Sequence, residues 1–144
     1  MKIKILLVDD EKEYIESLSE RLKLRDFDVD ISFNGQSALD RIRHCEYDIV
    51  VLDMLMPTMD GMMTYERMKA INPKIHVIFV TGHAQIETAI QGMASGVYDY
   101  LIKPIDLGEL IEKIKMAHEH KLVLEEQKRH REKKSEETEI KEKS

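Results

Sequence analysis

The segment "KILLVDDEKE", Lys4 to Glu13, decides how the rest of the chain is read. Four apolar residues, Ile5 to Val8, run directly into two acids, Asp9 and Asp10, and then into residues that suit a helix. A short apolar run bounded by polar residues reads as a strand buried on both faces, and the change of period after it reads as a strand giving way to a helix. The two acids therefore lie at the rim of the core. Like charges there repel and raise each other's pKa, so a positive partner is expected beside them.

The same unit recurs. Ile3 to Val8, Val29 to Phe33, Ile49 to Leu52, Ile75 to Val80 and Val97 to Ile102 are short, mostly β-branched or aromatic runs that read as five strands. Between and after them stand residues with helical spacing: Tyr14, Ile15, Leu18 and Leu22; Ala38, Leu39 and Ile42; Met62, Met63, Tyr65 and Met68; Ile86, Ala89, Ile90 and Met93; Leu107, Leu110, Ile111 and Ile114. Local chemistry agrees with these limits. "FNG" at 33–35 and "TMDG" at 58–61 lead into the second and third helices, Asn72-Pro73 ends the third, and Gly96 follows the fourth. Five β-α units predict an α/β fold, a doubly wound parallel sheet with helices on both faces and right-handed crossovers. The pattern leaves strand order open.

The 144 residues fit one domain with an ordinary core, and 42% apolar with 35% charged residues is a globular composition. A net charge of -6 argues against a broad nucleic-acid surface, so no direct nucleic-acid binding is expected. Cys45 is the single cysteine, which excludes an internal disulfide framework and favours a reducing compartment. Nowhere do 18 apolar residues run together, and the opening apolar run is too short for a signal peptide. A cytoplasmic protein with no membrane partner is expected. Residues 1–122 read as the folded domain and 123–144 as a charged tail, whose first part can extend the last helix and which frays beyond about Arg131. No output domain is visible in the chain, which reads as a stand-alone unit or the first segment of something longer.

In an open parallel sheet, ligands bind outside the carboxyl ends of the strands. Those ends carry Asp9 and Asp10 after the first strand, Asp53 after the third, Thr81 after the fourth and Lys103 after the fifth. Three carboxylates in a small volume need a cation, and an all-oxygen donor set favours Mg²⁺. A partly hydrated Mg²⁺ prefers a phosphate partner, for which Lys103 supplies charge and Thr81 a hydroxyl. Asp53 is the candidate nucleophile, because a carboxylate can attack phosphorus to form an aspartyl phosphate.

With these residues in place, "LLVDDE", "DIVVLDMLMPTMDG", "VIFVTGHA" and "YDYLIKP" resemble the receiver domain of two-component response regulators, a CheY-like superfamily, over about residues 2 to 120. The resemblance implies a flavodoxin-like (βα)5 fold with strand order 2-1-3-4-5. It implies phosphoryl transfer onto Asp53 from a sensor histidine kinase or histidine phosphotransfer protein, in a phosphoacceptor switch rather than a turnover enzyme. By the same resemblance, Asp10 and Asp53 are metal ligands with the Leu55 backbone carbonyl, Asp9 acts largely through water, and Thr81 and Lys103 contact the phosphoryl group. Tyr100 matches the aromatic whose rotamer accompanies Thr81, and Lys103-Pro104 a frequent cis bond. Readout through the fourth helix, fifth strand and fifth helix is implied, with an unspecified downstream target and a homodimer through that face among the partners. His83, bulkier than many residues at its place, bears on phosphoryl lifetime rather than formation.

Other readings compete. Asp10 and Glu13 have the spacing of a capping box for the first helix, Thr81 that of a cap for the fourth, and Lys103 could be a solvated rim lysine. Met54, Met56 and Met59 read as gap-fillers. His118 and His120 read as solvated helix residues, with no zinc-ligand spacing. A haloacid-dehalogenase-type phosphatase would also use an aspartyl nucleophile, Mg²⁺ and a lysine, but in a D-x-D motif, whereas the acids here are adjacent. No phosphate-binding glycine motif is present. A docking module that signals without phosphorylation is the remaining alternative.

Overall fold

A computed structural model of the chain describes residues 2–143, so the expected domain limits at residues 1 and 144 lie just outside it. Five strands and five helices alternate: β1 (Lys4–Val8), α1 (Lys12–Lys23), β2 (Asp28–Ser32), α2 (Gly35–His44), β3 (Ile49–Asp53), α3 (Gly61–Ile71), β4 (His76–Thr81), α4 (Ile86–Ala94), β5 (Asp99–Ile102) and α5 (Leu107–Lys143), with a 3-10 turn over His83–Gln85 before α4. The strands form one parallel sheet of order β2-β1-β3-β4-β5, the order that the resemblance implied and periodicity alone could not give.

Alternation along each strand explains the two cores. Leu6, Val8, Val50, Leu52, Val77 and Phe79 face one way and meet Ala38, Leu39, Ile42, Tyr65, Met68 and Ala89 of α2, α3 and α4. Their neighbours Ile5, Leu7, Ile49, Val51, Ile78 and Val80 face the other way and meet Ile15, Leu18, Leu22, Leu110, Ile114 and Ala117 of α1 and α5. Each fully buried Val, Leu, Ile, Met or Phe side chain among them contributes roughly 1.5–3 kcal/mol. The helices thus clamp the sheet from both sides and leave the strand ends as loops.

Those ends are set by local chemistry. Asn34 Oδ1 accepts the Ser37 N–H and Asp60 Oδ1 the Met63 N–H, each at 2.8 Å, which starts α2 and α3 where the turn signals place them. Gly61 lets the start of α3 lie against the loop after β3: an added Cβ would meet the Met54 Cα at 2.6 Å. Gly96 closes α4 at φ +108°, a conformation that favours glycine. The capping box read from Asp10 and Glu13 does not form. Glu11 is the N-cap of α1 and makes no side-chain cap, and its amide donates to Asp9 Oδ1 at 2.9 Å instead. The Lys103-Pro104 bond is cis.

The last helix is longer than its composition suggests. α5 continues to Lys143 where fraying past Arg131 was expected. Its second half is rich in Glu, Lys, Arg and Gln, strong helix formers, with pairs such as Arg129–Glu126 at 2.8 Å along its surface. Its buried residues, Leu110, Ile114 and Ala117, all precede residue 118. Among the described residues no helix is long and apolar enough to cross a membrane.

Candidate functional site

The register of the sheet brings four strand ends to one edge. Val8 lies beside Leu52, Asp53 beside Val80, and Thr81 beside Ile102. The residues at or just past those positions, Asp9, Asp10, Asp53, Thr81 and Lys103, therefore share one rim. Carboxylate oxygens of Asp9, Asp10 and Asp53 all come within 4.8 Å of one another; Asp9 and Asp53 are buried and Asp10 is exposed. Such an all-oxygen donor set, one member open to solvent, fits a hard divalent cation that keeps part of its water.

Lys103 lies against Asp9, one of the two adjacent acids, and against Asp53. Its Nζ lies 3.0 Å from Asp9 Oδ2, 3.3 Å from Glu11 Oε1 and 3.5 Å from Asp53 Oδ2. Burial alone would push the Lys103 ammonium down; the Asp9 hydrogen bond, the Asp53 and Asp9 charges and the Glu11 hydrogen bond more than offset it and hold its pKa above the usual lysine range. The Asp53 carboxyl is pushed up to about 6, first by burial and further by Asp9 and Asp10, against the Leu55 N–H (3.2 Å to Oδ1) and Lys103, which lower it. Asp53 is thus a desolvated carboxylate that is mostly ionised only above that pH.

The other expected residues are placed as follows. Thr81 is buried at the end of β4, and its hydroxyl donates to the Gly82 carbonyl at 3.0 Å; it does not cap α4, whose N-cap is Gln85. The Leu55 amide contacts Asp53 while its side chain is exposed. Tyr100, half-buried on β5 beside Phe79, packs against the core on the α2–α4 face. His83 is exposed in the turn before α4.

Three features escaped the sequence reading. Glu11, the third acid on Lys103, follows the acid pair directly and was a visible candidate. Tyr14, read as part of the apolar stripe of α1, places its ring 5.4 Å from Lys103 Nζ. At the opposite edge of the sheet, His120 is not simply solvated: its Nδ1 lies 2.8 Å from His76 Nε2, and both rings pack at a tilt against Tyr98. No spacing signal links residues 44 positions apart.

The model of the response regulator receiver domain family matches residues 5–115. The transcriptional regulatory protein ZraR of Salmonella typhimurium is 36% identical over 119 residues, which cover 83% of this chain and 27% of that protein. The regulatory protein AtoC of Escherichia coli K12 is 37% identical over 107 residues, 74% of this chain and 23% of that protein. The chain thus spans about a quarter of the length of these curated relatives. Among solved structures, a response regulator receiver domain protein from Clostridium thermocellum superposes with a TM-score of 0.81 at 31% identity, covering 85% of this chain and 98% of that one. A CheY-like receiver domain protein from Methanospirillum hungatei gives 0.79 at 26% identity, covering 84% and 97%.

Proposed function

The chain belongs to the response regulator receiver domain family of two-component signalling, and from that premise we propose that Asp53 accepts a phosphoryl group from the phosphohistidine of a sensor histidine kinase or histidine phosphotransfer protein. An Asp53 carboxylate oxygen forms a bond to phosphorus as the phosphorus–nitrogen bond breaks, and the imidazole leaves with the electron pair. Asp10, Asp53 and the Leu55 carbonyl would hold Mg²⁺, with Asp9 acting through water; the ion supplies charge neutralisation for the incoming phosphoryl oxygens.

The chain's own residues do the rest. Lys103, held between Asp9 and Asp53, is already beside the place where new negative charge arrives and pairs with it. Thr81 exchanges the Gly82 carbonyl for a phosphoryl oxygen, since its hydroxyl can donate to either. Tyr100 follows Thr81 as one of two packings, so the modification biases a two-state element on the α4–β5–α5 face, where a downstream target or a second copy docks. The protein acts as a switch, not as a turnover enzyme.

The observation that carries this reading is one ammonium set within 3.5 Å of two buried acids at the carboxyl edge of the sheet. The test is labelling with radioactive acetyl phosphate and Mg²⁺. The parent should take up one phosphoryl group and Asp53→Asn none. Equal labelling of the two proteins would overturn the proposal.

A further inference from the structure

Tyr14 stands out because neither core explains it. Ile15, Leu18 and Leu22 form the buried stripe of α1, and Tyr14, one position away, is only half-buried and belongs to neither apolar cluster. Its hydroxyl is no explanation either: with that of Ser19 it is, among the described residues, a buried side-chain polar atom without a hydrogen-bond partner. A buried donor left unpaired is a cost to the fold, so the hydroxyl gives no reason for a tyrosine here. What remains is the ring, 5.4 Å by its centroid from the Lys103 Nζ.

We propose that Tyr14 is a positioning residue for Lys103, its ring holding the ammonium in place among the three surrounding carboxylates. A lysine is a point charge on a flexible four-carbon stem. Glu11, with a side chain 64% exposed, competes for that charge from the solvent side, whereas Asp9 and Asp53 hold it from below. An aromatic face attracts a cation without fixing a hydrogen-bond direction, so it restrains the stem sideways while leaving the ammonium's donors free to change partner. Tyr14 touches no reacting atom; it acts through Lys103.

The functional half of this inference rests on the phosphoacceptor reading of the site, and the structural half does not. Urea unfolding without Mg²⁺ of the parent, Tyr14→Leu, Lys103→Met and the double variant tests the contact itself. The unfolding constants should be non-additive by about threefold to tenfold, the range for a partly exposed cation–aromatic pair. Additive effects would overturn the proposal. Titration of beryllofluoride, a phosphoryl mimic, with Mg²⁺ present tests the role. Tyr14→Leu should weaken beryllofluoride binding about fivefold while leaving Mg²⁺ affinity unchanged, and Tyr14→Phe should bind as the parent does. A leucine variant that binds like the parent, or a phenylalanine variant as weak as leucine, would overturn it. A parent that ignores beryllofluoride would instead sink the phosphoacceptor reading, with the unfolding cycle still deciding whether Tyr14 holds Lys103.

Discussion

Replacing the Asp53 carboxyl should make the protein more stable, not less. The Asp53 pKa stands at about 6 in the folded chain against 3.8 as its ordinary value, so between those limits the native state holds a proton that the unfolded chain has lost. Stability therefore falls as pH rises through this window and is lowest, on this account, above pH 6. About two pKa units correspond to roughly 3 kcal/mol. Asp53→Asn removes the buried charge and keeps an oxygen for the Leu55 N–H, but its amide then faces Lys103, which stood 3.5 Å from the carboxylate. A net gain of about 1–2 kcal/mol at pH 7.5 remains. Urea unfolding in the presence of a chelator measures it, at pH 7.5 and at pH 4, where the parent's Asp53 is protonated in the folded state and the gain should vanish. Mg²⁺ at ten times its dissociation constant should add about 1.4 kcal/mol to the parent and narrow the difference. A variant less stable than the parent at pH 7.5, or a gain that persists undiminished at pH 4, would refute the reasoning.

Other outcomes follow from the same geometry. Lys103→Met should abolish the change in α4–β5–α5 NMR shifts on adding beryllofluoride while Mg²⁺ binding, read by calorimetry, persists; loss of both together would contradict the division of roles. Gly61→Ala should destabilise by about 1–3 kcal/mol in urea unfolding, because the new methyl meets backbone of the loop after Asp53 and no flexible side chain can give way. His76 is pushed below its ordinary pKa by burial and by His120 and Lys121, with the Lys74 carbonyl and Glu125 opposing. The folded chain then binds fewer protons than the unfolded one just below pH 6.5, so this contribution is lost as pH falls through that window. His76→Gln should flatten the pH dependence of stability just below pH 6.5, and an unchanged slope there would count against it.

The site was legible where the sheet repeats itself. Asp9, Asp53, Thr81 and Lys103 each end or follow an apolar run, and a parallel sheet in register must bring such ends to one edge. Where a residue's role depends on its angle around a helix or on a distant partner, the reading failed. Tyr14 has the spacing of a core residue, but a turn of about 100° from Ile15 aims it at Lys103. Asp10 has the spacing of a cap, yet α1 starts one residue later, with Glu11 as its N-cap and no side-chain cap. His120 meets His76 only because α5 lies across the start of β4.

The length of α5 has a mechanical consequence. Lys121 Nζ meets Asp48 at 2.8 Å, and Asp48 in turn accepts the Lys4 amide at 2.9 Å, which ties the root of the projecting segment to the amino ends of β1 and β3. Beyond that tie the helix runs to Lys143, about 33 Å further. A tilt of about 10° at the root would sweep the far tip through roughly 6 Å, by the helical rise alone. Displacements too small to see within the body become large at the end of the rod, in the manner of a dial hand on a short spindle.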